Sequence, residues 1–197
     1  SCPRLAAVSS FGFSGTNAHV VLQEAPAASR CPVQRPGWLY VLSARTPDEL
    51  ASVARRLVEH IELKPGIDNG DLAFTLLLGR RHFRERIACV AADASALAAS
   101  LRDWLSQASA SQLYRARVPE DQAREQATLK QSGNQWIREC GQLRDATQYV
   151  ERLNALAELF VQGYRLDFAG LFDGEEFGRL PLPTYPFSRV RHWPPPR

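Results

Sequence analysis

The run Trp38-Leu39-Tyr40-Val41-Leu42-Ser43 is apolar without alternation, and Thr46-Pro47-Asp48-Glu49 follows almost at once. The first reads as a buried strand. The second is a strong helix start. Thr46 can cap, Pro47 suits the first helical position, and Glu49 stands three residues after Thr46, as a capping box wants. Leu50, Val53, Leu57 and Ile61 then mark one face at helical spacing, until Pro65-Gly66 stops the run. A buried strand delivering into an amphipathic helix calls for sheet and helix layers around one core.

Further elements follow. A short helix is expected over Leu72–Leu78 with Gly79 as its stop, and a strand over Arg84–Ala92. A helix is expected over Ser95–Leu105 with Leu97, Leu101 and Trp104 or Leu105 inward. Tyr114, Ala116 and Val118 alternate with Arg115 and Arg117, the pattern of a half-buried strand. The order β-α-α-β-α-β predicts an α+β fold, a small three-stranded antiparallel sheet with helices packed on one face. Residues 119–146 are polar and weakly patterned, and one more helix is expected from about Gln148 to Gln162, ending at Gly163.

The ends differ from this middle. Leu5–Ser10 and His19–Leu22 are β-prone runs around a Gly-containing loop. Residues 26–37 have the Ala/Pro/Ser/Arg composition of a linker. From Tyr164 onward Pro181, Pro183, Pro186 and Pro194 to Pro196 exclude a long helix or central strand and leave an extended Pro-rich C-terminal tail. Phe168, Leu171, Phe172, Tyr185, Phe187 and Trp193 should make that tail lie along a surface, since each gains about 1.5–3 kcal/mol when fully buried.

Several function classes are excluded early. Net charge is +3, with acidic residues among the basic ones, so there is no nucleic-acid footprint. No apolar run reaches membrane-spanning length. Cys2, Cys31, Cys89 and Cys140 lack C-x-x-C spacing and nearby histidines, which argues against a metal site and for free thiols in a bacterial cytoplasm. Gly12-Phe13-Ser14-Gly15 is one residue short of a nucleophile elbow and lacks the following helix. It also lacks the lysine and glycines of a phosphate-cradling loop.

Phe11-Gly12-Phe13-Ser14-Gly15-Thr16-Asn17-Ala18-His19 resembles the segment near the end of a polyketide-synthase ketosynthase, with Ser14 replacing one glycine. Residues from Leu42-Ser43-Ala44-Arg45-Thr46 through Asp71-Leu72-Ala73-Phe74 resemble the linker domain that follows a ketosynthase. Leu182-Pro183-Thr184-Tyr185-Pro186-Phe187-Ser188-Arg189-Val190-Arg191-His192-Trp193 resembles the tail that follows the acyltransferase in modular synthases. The resemblance implies four parts: a ketosynthase remnant (1–25), a linker (26–37), a linker or acyltransferase-docking domain (38–163) and a wrapping tail (164–197). It also implies a piece of a longer protein. The remnant, without its neighbours, is expected to be disordered or held by an unnatural contact.

The acyltransferase itself has no counterpart. Its G-H-S-x-G motif is missing, since His19, His60, His82 and His192 are not followed by serine. No Asp-Ser pair is present to carry phosphopantetheine, so that cofactor is expected on separate carrier domains. The pattern resembles modules served by a discrete acyltransferase; a synthase from which that domain had been removed gives the same pattern.

The resemblance therefore implies a non-catalytic module with no catalytic residue. Its partners would be the adjacent ketosynthase, a discrete acyltransferase and an acyl carrier protein. The gating-loop remnant is Phe11, Gly12, Phe13, Gly15, Thr16 and Asn17. The packing residues of the tail are Pro183, Thr184, Tyr185, Pro186, Phe187, Arg189, Arg191 and Trp193. Leu129, Trp136, Ile137 and Leu143 are candidates for self-association within the megasynthase, or for an excursion that covers the core. His82 amid Arg80, Arg81, Arg84, Glu85 and Arg86 can be read as an acid/base cluster or as a solvated charged loop entering a strand; the second is preferred.

Overall fold

A computed structural model describes residues 2–25, 33–107, 113–119 and 126–187. The chain divides into two units, Ser1–Cys31 and Pro32–Arg197. In the first, β1 (Leu5–Phe11) and β2 (Asn17–Gln23) form an antiparallel hairpin in register from Leu5↔Gln23 to Phe11↔Asn17. Seven consecutive residue pairs and the Arg4–Glu24 ion pair (2.6 Å) make it a regular element.

The second unit follows the predicted order. It contains β3 (Trp38–Ala44), α1 (Pro47–Leu63), α2 (Asn69–Leu78), β4 (Glu85–Ala91), α3 (Ala94–Leu105) and β5 (Leu113–Arg117). Two more helices follow, α4 (Ala127–Cys140) and α5 (Ala146–Gln162), then a 3₁₀ turn at Phe168–Phe172. The sheet is antiparallel with β4 central, pairing Tyr40 with Cys89 on one side and Cys89 with Leu113 on the other. Four of the five helices, all but α4, start at a side-chain cap. Thr46 Oγ1 accepts from Glu49 N–H (3.3 Å), Asp68 from Asp71 (2.8 Å), Asp93 from Ala96 (2.8 Å) and Asp145 from Thr147 (2.8 Å).

The helices cover both faces of this sheet, not one. Cys89 and Arg86 are three residues apart on β4 and so point to opposite faces. Cys89 lies beside Ser100 of α3, whereas Arg86 reaches the Phe160 carbonyl of α5 (2.8 Å). Every residue of β4 is buried. The apolar run Ile87–Ala91 is what a strand covered on both faces requires, and α5 supplies the second cover.

Two stretches flank this core. Residues 33–37 belong to the second unit, where Val33 packs on the core. Helix α5 ends at Gly163, whose φ is +98°. There the Tyr164 N–H donates to the Leu159 carbonyl (3.1 Å), and a Cβ would lie 2.7 Å from Val118 Cγ1. Conformation and space both demand glycine. Gly163→Ala is expected to lower unfolding free energy by about 2–3 kcal/mol, measured by urea titration.

Candidate docking surface

Residues 173–187 form a strap along α2. The helix offers polar groups one turn apart on one side, Asp71 and Thr75, followed by Arg80 beyond its end. Asp71 Oδ1 accepts from Gly178 N–H (2.5 Å), and Thr75 Oγ1 accepts from Leu180 N–H (2.9 Å). Arg80 Nη2 donates to the carbonyls of Leu182 and Pro183, each at 3.1 Å. Main-chain groups that proline-rich backbone cannot pair within itself are thereby satisfied. Phe177 sits over Gly70, where a Cβ would come within 2.5 Å of its ring.

Tyr185 anchors the end of the strap. Its hydroxyl accepts from Arg45 N–H (3.0 Å) and donates to Glu49 Oε2 (2.7 Å), while its ring lies 5.1 Å from that of Phe83. Pro186 is buried and Pro183 half-buried; Thr184 is exposed. Phe187, expected to pack inward, is 74% exposed and only edges the Tyr185 ring at 5.2 Å. Ser188 and the residues after it, including Arg189, Arg191 and Trp193, lie outside the described residues.

Arg35 was hidden from sequence reasoning within a stretch that reads as linker. Its guanidinium donates to the Leu171 carbonyl (2.6 Å) and pairs with Glu175. It also lies over Trp38 (5.1 Å) and Phe177 (5.6 Å), so it joins the strap to the sheet. An arginine between prolines carries no periodicity, and no local signal distinguishes it.

The charged cluster around His82 divides in the fold: Arg81 and Arg84 are exposed, and Arg80 and His82 are half-buried. Glu85 and Arg86 are buried. Arg86 donates to the carbonyls of Phe83 (2.9 Å) and Phe160 (2.8 Å); burial, with Arg165 second, holds its pKa below the usual value. Glu85 pairs with Arg117 (3.5 Å). His82 Nε2 bonds the Leu77 carbonyl (2.8 Å) and its ring stands edge-on to Phe160 (4.9 Å). The carbonyl accepts, so Nε2 carries the proton. Burial lowers the His82 pKa, which keeps the ring neutral.

Helix α4 and the residues just after it show why Leu129, Trp136, Ile137 and Leu143 are apolar. Ile137 is buried and its Cγ2 lies where a Cβ on Gly170 would come within 2.9 Å. That removes it from any outward self-association face. Trp136 and Leu143 are half-buried against the core, and Leu129 is half-buried. Trp136 carries Arg152 over its ring (5.4 Å). Period and polarity here fit a helix lying on the core, although Gly133 and scattered polar residues obscure it.

In the hairpin, the loop between Phe11 and Asn17 closes through Gly12 N–H to the Thr16 carbonyl (2.8 Å) and Gly15 N–H to the Gly12 carbonyl (3.0 Å). Gly15 has φ +88°, whereas Ser14 has no positive φ. Serine therefore replaces the motif's glycine without strain. Phe13 projects fully into solvent.

Residues 39–101 match the family described as CurL-like, PKS C-terminal. The chain is 32% identical over 209 residues to polyketide synthase PksN of Bacillus subtilis (strain 168), covering 97% of this chain and 4% of PksN. It is 37% identical over 217 residues to polyketide synthase ThaG of Burkholderia thailandensis, covering 100% of this chain and 4% of ThaG. Among solved structures, the ketosynthase from module 6 of the bacillaene synthase of Bacillus subtilis 168 is similar at TM-score 0.72 and 30% identity. That match covers 98% of this chain and 32% of the other. The chain thus spans about 4% of the length of these curated relatives. It is related to the polyketide synthases. More narrowly, it is akin to the C-terminal region of their ketosynthase-containing part, and the aligned stretch takes in both the hairpin and the α+β unit.

Two outcomes test the anchoring groups. Tyr185→Phe should cost about 1 kcal/mol through its lost hydroxyl bonds, and Tyr185→Ala about 2–3 kcal/mol, read from thermal or urea melts. Because His82 has a lowered folded-state pKa, its contribution is full above the unfolded value near 6.5 and fades as pH falls through the folded one. The stability gap between the wild type and His82→Gln should therefore shrink between pH 7.5 and pH 5.

Proposed function

We propose that the chain is a non-catalytic structural and docking module of a modular polyketide synthase. It braces its ketosynthase and receives a discrete acyltransferase, which loads malonyl units onto carrier proteins. The observation that carries the structural half is what the α+β unit does with its ionisable groups. Arg35, Arg80, His82 and Arg86 all donate to main-chain carbonyls and lock elements together. They are arranged to hold a shape rather than to meet a substrate.

The hairpin supports the bracing role. Ala6, Val8, Ala18, Val20 and Leu22 share one of its faces with Ser10, while Leu5, Ala7, Phe11 and Val21 share the other with Ser9, Asn17, His19 and Gln23. So exposed an apolar face calls for a covering partner, and the match to the ketosynthase takes in this stretch. The recruiting role would act through effective concentration, keeping the acyltransferase and a phosphopantetheine-bearing carrier near one module. Such a module needs no cofactor of its own.

Calorimetric titration of the folded chain with the discrete acyltransferase of the same pathway tests the recruiting half. Saturable binding is expected. No heat of binding from a chain that melts cooperatively would reduce the module to a spacer beside its ketosynthase.

A further inference from the structure

The strap forms one wall of a cleft of about 210 Å³, whose other walls come from β3, α1 and the end of α2. Its lining is aliphatic at Val53, Leu57, Leu76 and Leu182. The volume exceeds the engineered cavity of about 150 Å³ that holds a benzene ring, so a bulky apolar side chain fits. A second cleft of about 380 Å³ adjoins it, with Arg81, His82 and Phe83 lining both.

Charge distinguishes this region from an ordinary groove. Among the described residues no carboxylate lines either cleft, while arginines line both. Arg80 and Arg86 are tied to carbonyls. Arg45, Arg56 and Arg81 are exposed at the rim. The guanidinium groups of Arg45 and Arg81 stand 5.4 and 5.7 Å from the Phe83 ring centre, which restrains them beside the opening. Cations around a concave, low-dielectric wall concentrate positive potential there. The planar fork of arginine suits carboxylates, which it can hold through two bonds at once.

We propose that this double cleft seats an acidic peptide segment of a partner protein. One bulky apolar side chain enters the aliphatic cleft, and flanking carboxylates meet Arg45, Arg56 and Arg81. The proposal rests on the docking reading above and gives that surface a place and a chemistry. Complementary charge sets the encounter, and the apolar anchor sets the residence time.

The test uses the full chain and a fluorescein-labelled synthetic peptide carrying one leucine among glutamates, followed by fluorescence anisotropy. Saturable binding that weakens with added salt is expected. Replacing the leucine by alanine, or the glutamates by glutamine, should weaken it at least tenfold. The double variant Arg45→Glu, Arg81→Glu should do the same, while Arg55→Glu, on α1 but outside both clefts, should leave it unchanged. Melting temperatures confirm that the variants fold. Equal binding of the glutamine peptide, equal loss with Arg55→Glu, or an affinity indifferent to the leucine and abolished by millimolar inorganic phosphate overturns the proposal. Titrating the discrete acyltransferase against the double variant separates the two readings. Retained binding there overturns the cleft and leaves docking intact. Peptide binding without acyltransferase binding leaves the cleft standing and sinks the acyltransferase as its partner.

Discussion

Phe177 lies where distant stretches of the second unit meet. Its ring stacks with Phe74 of α2 at 6.1 Å, meets Phe172 of the 3₁₀ turn edge-on at 5.0 Å, and meets Trp38 of β3 at 6.0 Å. Arg35 closes the group from the chain segment before the sheet. These aromatic contacts each add about 0.5–1.5 kcal/mol beyond burial. More important is where they come from. The helices α1 to α3 and the sheet can form from local signals, but the strap has no internal ladder and exists only because α2 offers it partners. Asp71 and Thr75 lie on the same helix as Phe74, so one element presents the polar track for the strap's backbone and an apolar contact for its side chain.

This division explains what could be read from the chain. Elements with their own caps and periodicity were legible: Thr46 before α1, Leu97 and Leu101 within α3, Gly163 after α5. Helix α4 was obscured because its buried positions include Gly133, which lets Leu159 and Leu166 approach closely but gives no hydrophobic signal. The second helical cover of the sheet was missed for a related reason. An unbroken apolar strand says that both faces are covered, but not which later segment returns to cover them. Arg35 and Phe177, sequence neighbours of prolines or acidic residues, reveal their roles only when 140 residues of separation have been closed by folding, as the Arg35–Glu175 bond shows.

The candidate surface was legible in part. The tail motif located Tyr185 and Pro186, because a proline-rich segment with large aromatic side chains must find a surface. Its partner atoms were invisible. Glu49 reads as half of a capping box, yet its carboxylate also takes the Tyr185 hydroxyl. The charged stretch from Arg80 to Arg86 reads as one solvated cluster. In the fold, a two-residue alternation on β4 sends Arg86 and Glu85 to opposite sides, where each is buried with its own partner.

Arginine chemistry links stability to the surface. A lysine in place of Arg80 could not reach two successive carbonyls with one flat group, and a buried ammonium would face a larger desolvation cost than the delocalised guanidinium of Arg86. Arg80 and Arg86 are fixed through main-chain carbonyls, and among the described residues no carboxylate lines the two clefts with them. The groups that hold the strap in place therefore also bias the adjoining clefts toward anions. Shape and polarity arise from the same contacts: moving the strap would remove the cleft wall formed by Leu182 to Tyr185 and release the arginine that clamps it.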